Sequence, residues 1–256
     1  MKFEFRIADL LMKLSFGFSV LTSPYSLYAD WDPEDCLFDL EPSAFEVLND
    51  SGFQELKGRV VEALKGSWCS EEKINLLMDL VCITQPDVCV EIGAFSGSSV
   101  LPVAATLKQL NRGKIYAIDA WSNRVTVKNL AEDDPNKLWW SKINMRSVRN
   151  IFNQMIETWG LSNVCTPIRK PSEKAIHQLS AIDFLHLDGD YSAIGSMQDV
   201  ELYLPKVKSG GYILLSNLFI MVNNEQPKLN AFNALFECCE IVCEIENENA
   251  ILFQKN

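Results

Sequence analysis

From Ser70 onward the apolar positions alternate between two rhythms. Ile74, Leu77, Met78 and Val81 recur at the spacing of one helix face. Ser70 stands before them as an N-cap, and Glu71 and Glu72 occupy a first turn where the helix dipole favours negative charge. Pro86 ends that helix. Short apolar runs without strict polar alternation then follow at residues 88–92, 114–118, 164–168, 182–187 and 212–215, separated by helical stretches such as 98–110. Strands of this kind, spaced by helices, predict a parallel sheet covered on both faces. A final pair, 240–245 and 250–253, is joined by Glu246-Asn247-Glu248-Asn249. That link is too short for a crossover helix, so the two must pair as an antiparallel hairpin at one edge.

The region before Ser70 is organised differently. Phe45, Leu48, Phe53, Leu56, Val60 and Leu64 have helical spacing, interrupted by Gly52 and Gly58, which predicts two short helices in a cap over residues 30–69. Residues 1–29 admit two readings. Lys2, Arg6 and Lys13 before an apolar stretch, with Leu27-Tyr28-Ala29 behind it, have the order of a signal peptide. Glu4 and Asp9 break the positive start, Ser15, Gly17 and Ser19 interrupt the apolar stretch, and Phe3, Ile7, Leu10, Leu14 and Phe18 fit an amphipathic N-terminal helix equally well. The run is far shorter than the roughly 20 apolar residues that a membrane-spanning helix needs.

The 256 residues suffice for one sizeable domain over residues 70–256. Lys and Arg number 23 against 34 Asp and Glu, a net charge of −11 that opposes binding to nucleic acid or an anionic membrane. The basic groupings Lys65/Lys73 and Lys206/Lys208 are thin. Eight cysteines suggest a disulfide framework at first, but they are scattered through apolar runs, no Cys-x-x-Cys pair occurs, and His177 and His186 are the only histidines. Reduced, buried thiols are therefore expected.

Candidate chemistry gathers where strands end. The first strand runs into Glu91-Ile92-Gly93-Ala94-Phe95-Ser96-Gly97-Ser98-Ser99. Its glycines permit a tight turn and close approach to a ligand, and the following helix start offers amides to an anionic group. The glycine spacing is not that of a dinucleotide fingerprint, which argues against hydride transfer. Asp119 ends the second strand, where a carboxylate can accept ribose hydroxyls. The fourth ends in Leu187-Asp188-Gly189-Asp190-Tyr191, with a turn role for Asp190. The fifth is preceded by Gly210-Gly211, a turn element, and ends in Ser216-Asn217. His186 lies within an apolar strand and fits a satisfied core histidine, His177 fits a solvent-facing position, and Trp139-Trp140 fits either core or an acceptor pocket.

These residues resemble the class I S-adenosylmethionine (SAM)-dependent methyltransferases, and within them the small-molecule O-methyltransferases of catechol type. Glu91-x-Gly93-Ala94-Phe95-x-Gly97-x-Ser99 is similar to that branch's first motif, Ile118-Asp119-Ala120-Trp121 to its second, and Pro171-Ser172-Glu173 to the stretch beside adenine. The segment from Asp183 through Asp188-Gly189 and Asp199 to Gly210-Gly211-Tyr212 is the most specific match. The resemblance implies a Rossmann-like, doubly wound α/β fold with a seven-stranded sheet, mostly parallel, ending in an antiparallel hairpin strand. It implies SAM as cofactor, with Glu91, Gly93, Ala94, Phe95, Gly97, Ser99, Asp119, Ala120, Ser172 and Asp188 forming its site. Within that set Gly93, Ala94 and Phe95 line the methionyl part, Ser99 holds its carboxylate, Asp119 the ribose and Ser172 the adenine. Asp188 and Tyr191 are the implied catalytic residues, and the acceptor is a small or medium molecule methylated on O or N, in the cytoplasm where SAM is made.

Two positions depart from the branch. Its metal-dependent members place an Asp after strand four and an Asp followed by Asp or Asn after strand five. Here Asp188, Ser216 and Asn217 stand in those places, one carboxylate with two neutral groups, a poor donor set for a hard cation. A His or Lys base three residues after the strand-four Asp is replaced by Tyr191, whose ordinary pKa of about 10 makes it a weak base at neutral pH. These losses keep open a catalytically degenerate binding or interaction protein on the same fold.

Overall fold

The computed structural model describes residues 46–256 apart from Asn224. Residues 1–29, the first part of the cap and Cys36 lie outside the described residues.

Helix α1 spans Ser51–Ala63 and α2 spans Glu71–Thr84. A helical segment ends at Leu48, so the break expected near Gly52 is present just before α1, whereas the one expected at Gly58 does not occur. A glycine inside a helix costs about 1 kcal/mol relative to alanine. Here that cost is offset by the Asp50 N-cap, which accepts the Phe53 N–H at 2.9 Å, by burial of Phe53 and Val60, and by the Lys57–Asp79 ion pair (2.8 Å) that ties α1 to α2. Ser70 caps α2, accepting the Lys73 N–H at 3.1 Å, and Gln85 ends it in the left-handed conformation just before Pro86.

Strands and helices then alternate: β1 (Val88–Ile92), α3 (Val100–Leu110), β2 (Lys114–Ile118), α4 (Asn123–Thr126), α5 (Pro135–Lys142), α6 (Met145–Trp159), β3 (Cys165–Ile168), α7 (Ser172–Ala175), β4 (Ile182–Leu187), α8 (Ala193–Tyr203), β5 (Val207–Leu215), α9 (Leu229–Phe236), β6 (Cys239–Ile245) and β7 (Ala250–Lys255). Among the described residues the strands form one seven-stranded sheet in the order β3-β2-β1-β4-β5-β7-β6. It is parallel except for β7, which runs antiparallel between β5 and β6. The hairpin anticipated from the short Glu246–Asn249 link is thus present, with β6 at the edge.

Residue parity divides the core into two layers. Cys89, Phe184 and Leu214 face α1, α2, α3 and α6, while Val90, Leu185 and Ile213 face α8 and α9. Burial on both sides explains why the strands lack polar alternation. In β5 the double glycine does not precede the strand as a turn. It lies within it, where pairing with β4 slips from Ile182↔Val207 to Phe184↔Tyr212. Gly210 (φ +76°) supplies the left-handed residue of that bulge. Six of the seven described cysteines are buried. The topological switch point falls between β1 and β4, where strand order reverses and open α/β sheets bind ligands.

Candidate active site

A cleft opens at the carboxyl ends of β1, β2 and β4, floored by Ile92, Gly93 and Ala94. The ends of β1 and β4 pass in direct contact. A Cβ on Gly93 (φ +92°) would stand 2.4 Å from the Asp188 carbonyl oxygen, and one on Gly189 would stand 2.7 Å from Ile92 Cγ2. Only glycine fits at either place. Beyond Gly93, the non-glycine residues Phe95 (φ +44°) and Trp121 (φ +43°) hold the costly left-handed conformation at the exits of β1 and β2. Asp119 keeps them there. Its Oδ2 accepts the Phe95 N–H at 2.9 Å and its Oδ1 the Trp121 N–H at 2.6 Å, while the Trp121 indole donates to the Phe95 carbonyl at 2.8 Å. Burial raises the Asp119 carboxyl above its ordinary value, and the two amide hydrogen bonds work against that rise.

The wall contributed by α7 and α8 holds a second carboxyl. The Ser172 hydroxyl donates to Asp199, and burial pushes the Asp199 pKa up to about 7 despite that bond. Asp190 is committed to the loop, as its turn role implies. It accepts the Ser192 N–H and the Asn129 side-chain amide, both at 2.8 Å, and so ties the start of α8 to the segment after α4.

Aromatic rings form the rim. Trp68, 62% exposed, stacks on Phe95 with ring centroids 5.2 Å apart and planes 8° from parallel. Trp140 meets Phe95 edge-on at 5.8 Å and lies 5.6 Å from Tyr191. Of the tryptophan pair, Trp140 lines the cleft and Trp139 remains half exposed beside it. Burial, with the nearby Asp188 charge adding to it, pushes the Tyr191 hydroxyl far above its ordinary pKa. It stays a protonated donor.

Beneath Asp188 lies a buried polar chain. Glu91 and His186 are register partners on β1 and β4. Ser99 Oγ donates to Glu91 Oε1 at 2.6 Å, and His186 Nδ1 stands 3.3 Å from Glu91 Oε2, neither of these last two atoms making a hydrogen bond. His186 Nε2 lies 2.9 Å from Ser216 Oγ, to which Lys73 Nζ donates at 3.1 Å. The Lys73 side chain is only 3% exposed, and its ammonium also lies 3.5 Å from Asp188 Oδ2 and 3.6 Å from Glu248 Oε2. Burial alone would lower the Lys73 pKa, but Asp188 foremost, with Cys69, Glu248 and Glu91, lifts it above the ordinary lysine value. Burial likewise opposes ionisation of Asp188, yet Lys73, His186 and Lys228 outweigh it and hold the carboxyl below its usual range. Both groups are charged at neutral pH.

The residues at the three candidate metal positions do not fit a divalent ion. Asp188 Oδ1 already accepts the Asn217 side-chain N–H, Asp188 Oδ2 faces an ammonium, and Ser216 Oγ is shared between Lys73 and His186. A hard cation needs several free oxygen ligands, and here a fixed positive charge occupies their centre.

Of the site residues anticipated from sequence, Gly93, Ala94, Phe95, Ser99, Asp119, Ala120, Ser172, Asp188 and Tyr191 all line this one cleft. Glu91 and Gly97 do not reach it. Glu91 is buried behind it in the chain with Ser99 and His186, and Gly97 is packed against α6, where a Cβ would stand 2.3 Å from Met155 Cε. Ser99 spends its hydroxyl on Glu91. His186 is buried as anticipated but only partly satisfied, since β1 places a carboxylate beside it without hydrogen-bond geometry. His177 is exposed. Lys73, noted from sequence only as half of a thin basic grouping with Lys65, was missed. Its signal was its place three residues after the N-cap, in line with the core positions Leu77 and Leu80.

The sequence model of the family described as "Methyltransferase domain" matches residues 90–218, half of the chain, including the ends of β1, β2 and β4 at the cleft. No curated protein matches the chain. Among solved structures, the O-methyltransferase NovP is similar over 72% of this chain and 78% of its own, with 15% identity and a TM-score of 0.55. An O-methyltransferase from Bacillus cereus in complex with SAH covers 84% and 98% (15% identity, TM-score 0.52). The O-methyltransferase TomG from Streptomyces achromogenes, in complex with SAM, covers 88% and 97% (13% identity, TM-score 0.53). At these identities the likeness is one of fold, and it is the fold that strand order and hairpin had already described. Family match, sheet topology and the position of the cleft agree: the chain belongs to the methyltransferase-domain family and has the class I, Rossmann-like methyltransferase fold.

Proposed function

We propose that this chain transfers the methyl group of SAM to an oxygen of a small or medium acceptor held under the aromatic rim. The observation that carries this reading is the convergence of Gly93, Asp119, Ser172 and Asp188 on one cleft at the β1/β4 switch point. The donor set suits the cofactor. Asp119 has lone pairs left after accepting two amides and could accept ribose hydroxyls, while Ser172 and Asp199, whose pKa of about 7 leaves it partly protonated near neutrality, offer polar groups to a base. The turn from Ser96 to Ser99 precedes α3, and helix-start amides without intrahelical partners suit a carboxylate.

When bound, SAM supplies an electrophilic methyl: the acceptor lone pair forms the O–C bond as the C–S bond breaks, and its electrons stay on sulfur, leaving a neutral thioether. The chain's own part is alignment. Gly93 and Gly189 bring the β1 and β4 ends together, Asp188 would offer a fixed carboxylate to a cationic sulfur bound in the cleft, and Phe95, Trp140 and Tyr191 form an aromatic wall that would face the acceptor. Among the described residues no helix is long and apolar enough to cross a membrane. A small-molecule acceptor and a cytoplasmic site of action accord with the acidic charge and with where SAM is made. The test is transfer of labelled methyl from SAM across a panel of phenols, carboxylic acids and amines. Turnover that disappears in Asp119→Ala supports the reading, and a chain that binds SAM but methylates none of them supports the degenerate one.

A further inference from the structure

The ammonium of Lys73 is buried where α2 meets the ends of β4 and β5. Burying a lysine is expensive, and this one is surrounded by three groups at the acceptor end of the cleft. We propose that Lys73 is a built-in cation standing where related enzymes place a divalent ion, and that it binds the acceptor's anionic oxygen directly.

Three observations converge on this. Position is the first: Nζ lies among the residues after β4 and β5, 3.5 Å from Asp188 Oδ2 and 3.1 Å from Ser216 Oγ, the centre of the donor set that fails to fit a metal. Valence is the second. An ammonium has three N–H donors, and here only Ser216 Oγ is within ordinary hydrogen-bond distance, the two carboxylates lying at 3.5 and 3.6 Å. Lys73 also lines the cleft, so an oxygen entering from that side can take up the remaining donor capacity. The third is the want of a free base beside Asp188: Asp199, the cleft carboxyl with a pKa of about 7, is engaged by Ser172 on the α7–α8 wall, and Lys228 donates to the Ser216 carbonyl. Tyr191 is a protonated donor, Asp188 is held by Asn217 and Lys73, and His186 is walled off behind Ser216. An acceptor that loses its proton to solvent and binds as an oxyanion needs no base, and a fixed cation is what stabilises that form.

The inference rests on the methyl-transfer reading and narrows it. A divalent ion chelates two adjacent oxygens, whereas an ammonium holds one. The acceptor class is therefore one with a single acidic hydroxyl or a carboxylate, with no vicinal diol required.

The experiment loads the full chain with S-adenosylhomocysteine and titrates it with 4-nitrophenol, whose phenolate is read by its visible absorbance. The wild-type chain should hold at least about tenfold more phenolate than buffer at the same pH. Lys73→Met should lose that enrichment, and so should Lys73→Met combined with Glu248→Gln, which lessens the charge left unpaired if the single variant folds poorly. Electron paramagnetic resonance should find no Mn²⁺ bound to the wild-type chain. Equal phenolate enrichment in wild type and variant, no nitrophenol binding to wild type, or Mn²⁺ held at Asp188 would each overturn the proposal. Calorimetry with S-adenosylhomocysteine on the same samples separates the two claims: lost cofactor binding in wild type defeats the methyl-transfer reading, whereas intact binding with no Lys73 effect defeats only this one.

Discussion

Asp119 Oδ2 accepts the backbone N–H of Phe95 at 2.9 Å, so the end of β2 fixes the loop that leaves β1. The same carboxylate holds Trp121, and both residues that it holds are in the left-handed conformation. Asp119 thus shapes the cleft as well as facing into it. Asp119→Ala strands two amides and should cost about 1–3 kcal/mol of stability. Its effect on cofactor binding should be larger than that of Asp119→Asn, which keeps one acceptor oxygen. Urea unfolding and calorimetry on the two variants check both effects, and equal losses would mean that the loop geometry does not depend on these bonds.

Gly93→Ala tests the contact of β1 with β4. A Cβ there meets the Asp188 backbone at 2.4 Å, from a φ of +92° that L residues rarely adopt. Something in the backbone has to move. We expect a loss of more than about 2 kcal/mol in denaturant unfolding, together with lost cofactor binding. Gly58→Ala is the control, because a Cβ on Gly58 meets nothing within 4 Å and the residue is inside α1, where alanine should stabilise by about 1 kcal/mol.

Asp199 makes stability depend on pH. Its pKa is about 7 in the folded chain against an ordinary value of 3.8, so between those values the folded state binds more protons than the unfolded one. Stability from this group is greatest below the unfolded value and falls as pH rises through 7, by a few kcal/mol in all. Asp199→Asn mimics the protonated acid and can still accept the Ser172 hydroxyl. It should match the wild-type chain in acid and exceed it above neutrality. Urea titrations at several pH values check this, and parallel pH profiles would contradict it.

The aromatic rim should matter to the acceptor more than to the fold. Trp68 is 62% exposed, so Trp68→Ala should change stability by less than about 1 kcal/mol. Its stacking on Phe95 covers the mouth of the cleft, and its loss should raise KM for a methylated acceptor several-fold with kcat little changed. A fall in kcat at unchanged KM would place the tryptophan elsewhere in the mechanism.

Much of this arrangement was legible in the sequence for physical reasons. Strands buried on both faces leave mostly apolar runs without strict polar alternation, which is why β1, β2 and β4 were bounded to the residue. Gly93 was marked by its place in a turn that approaches a ligand, and the structure adds that it and Gly189 let the ends of β1 and β4 touch. What escaped was whatever depended on distant parts of the chain meeting. Gly58 suggested a break because its local cost is visible, whereas the docking of α1 on α2 through Lys57 and Asp79 is not. Gly210 and Gly211 suggested a turn because a bulge in β5 depends on its register with β4. Lys73 carried no site signal because its partners, Asp188, Ser216 and Glu248, are more than a hundred residues away along the chain.

The central claim is that the cleft at the ends of β1, β2 and β4 is a SAM site, and calorimetric titration of the wild-type chain with S-adenosylhomocysteine tests it most directly. The account predicts one saturable site per chain, with affinity falling by at least about tenfold in Asp119→Ala. Absence of any binding heat at millimolar S-adenosylhomocysteine, or binding that Asp119→Ala leaves unchanged, would contradict it.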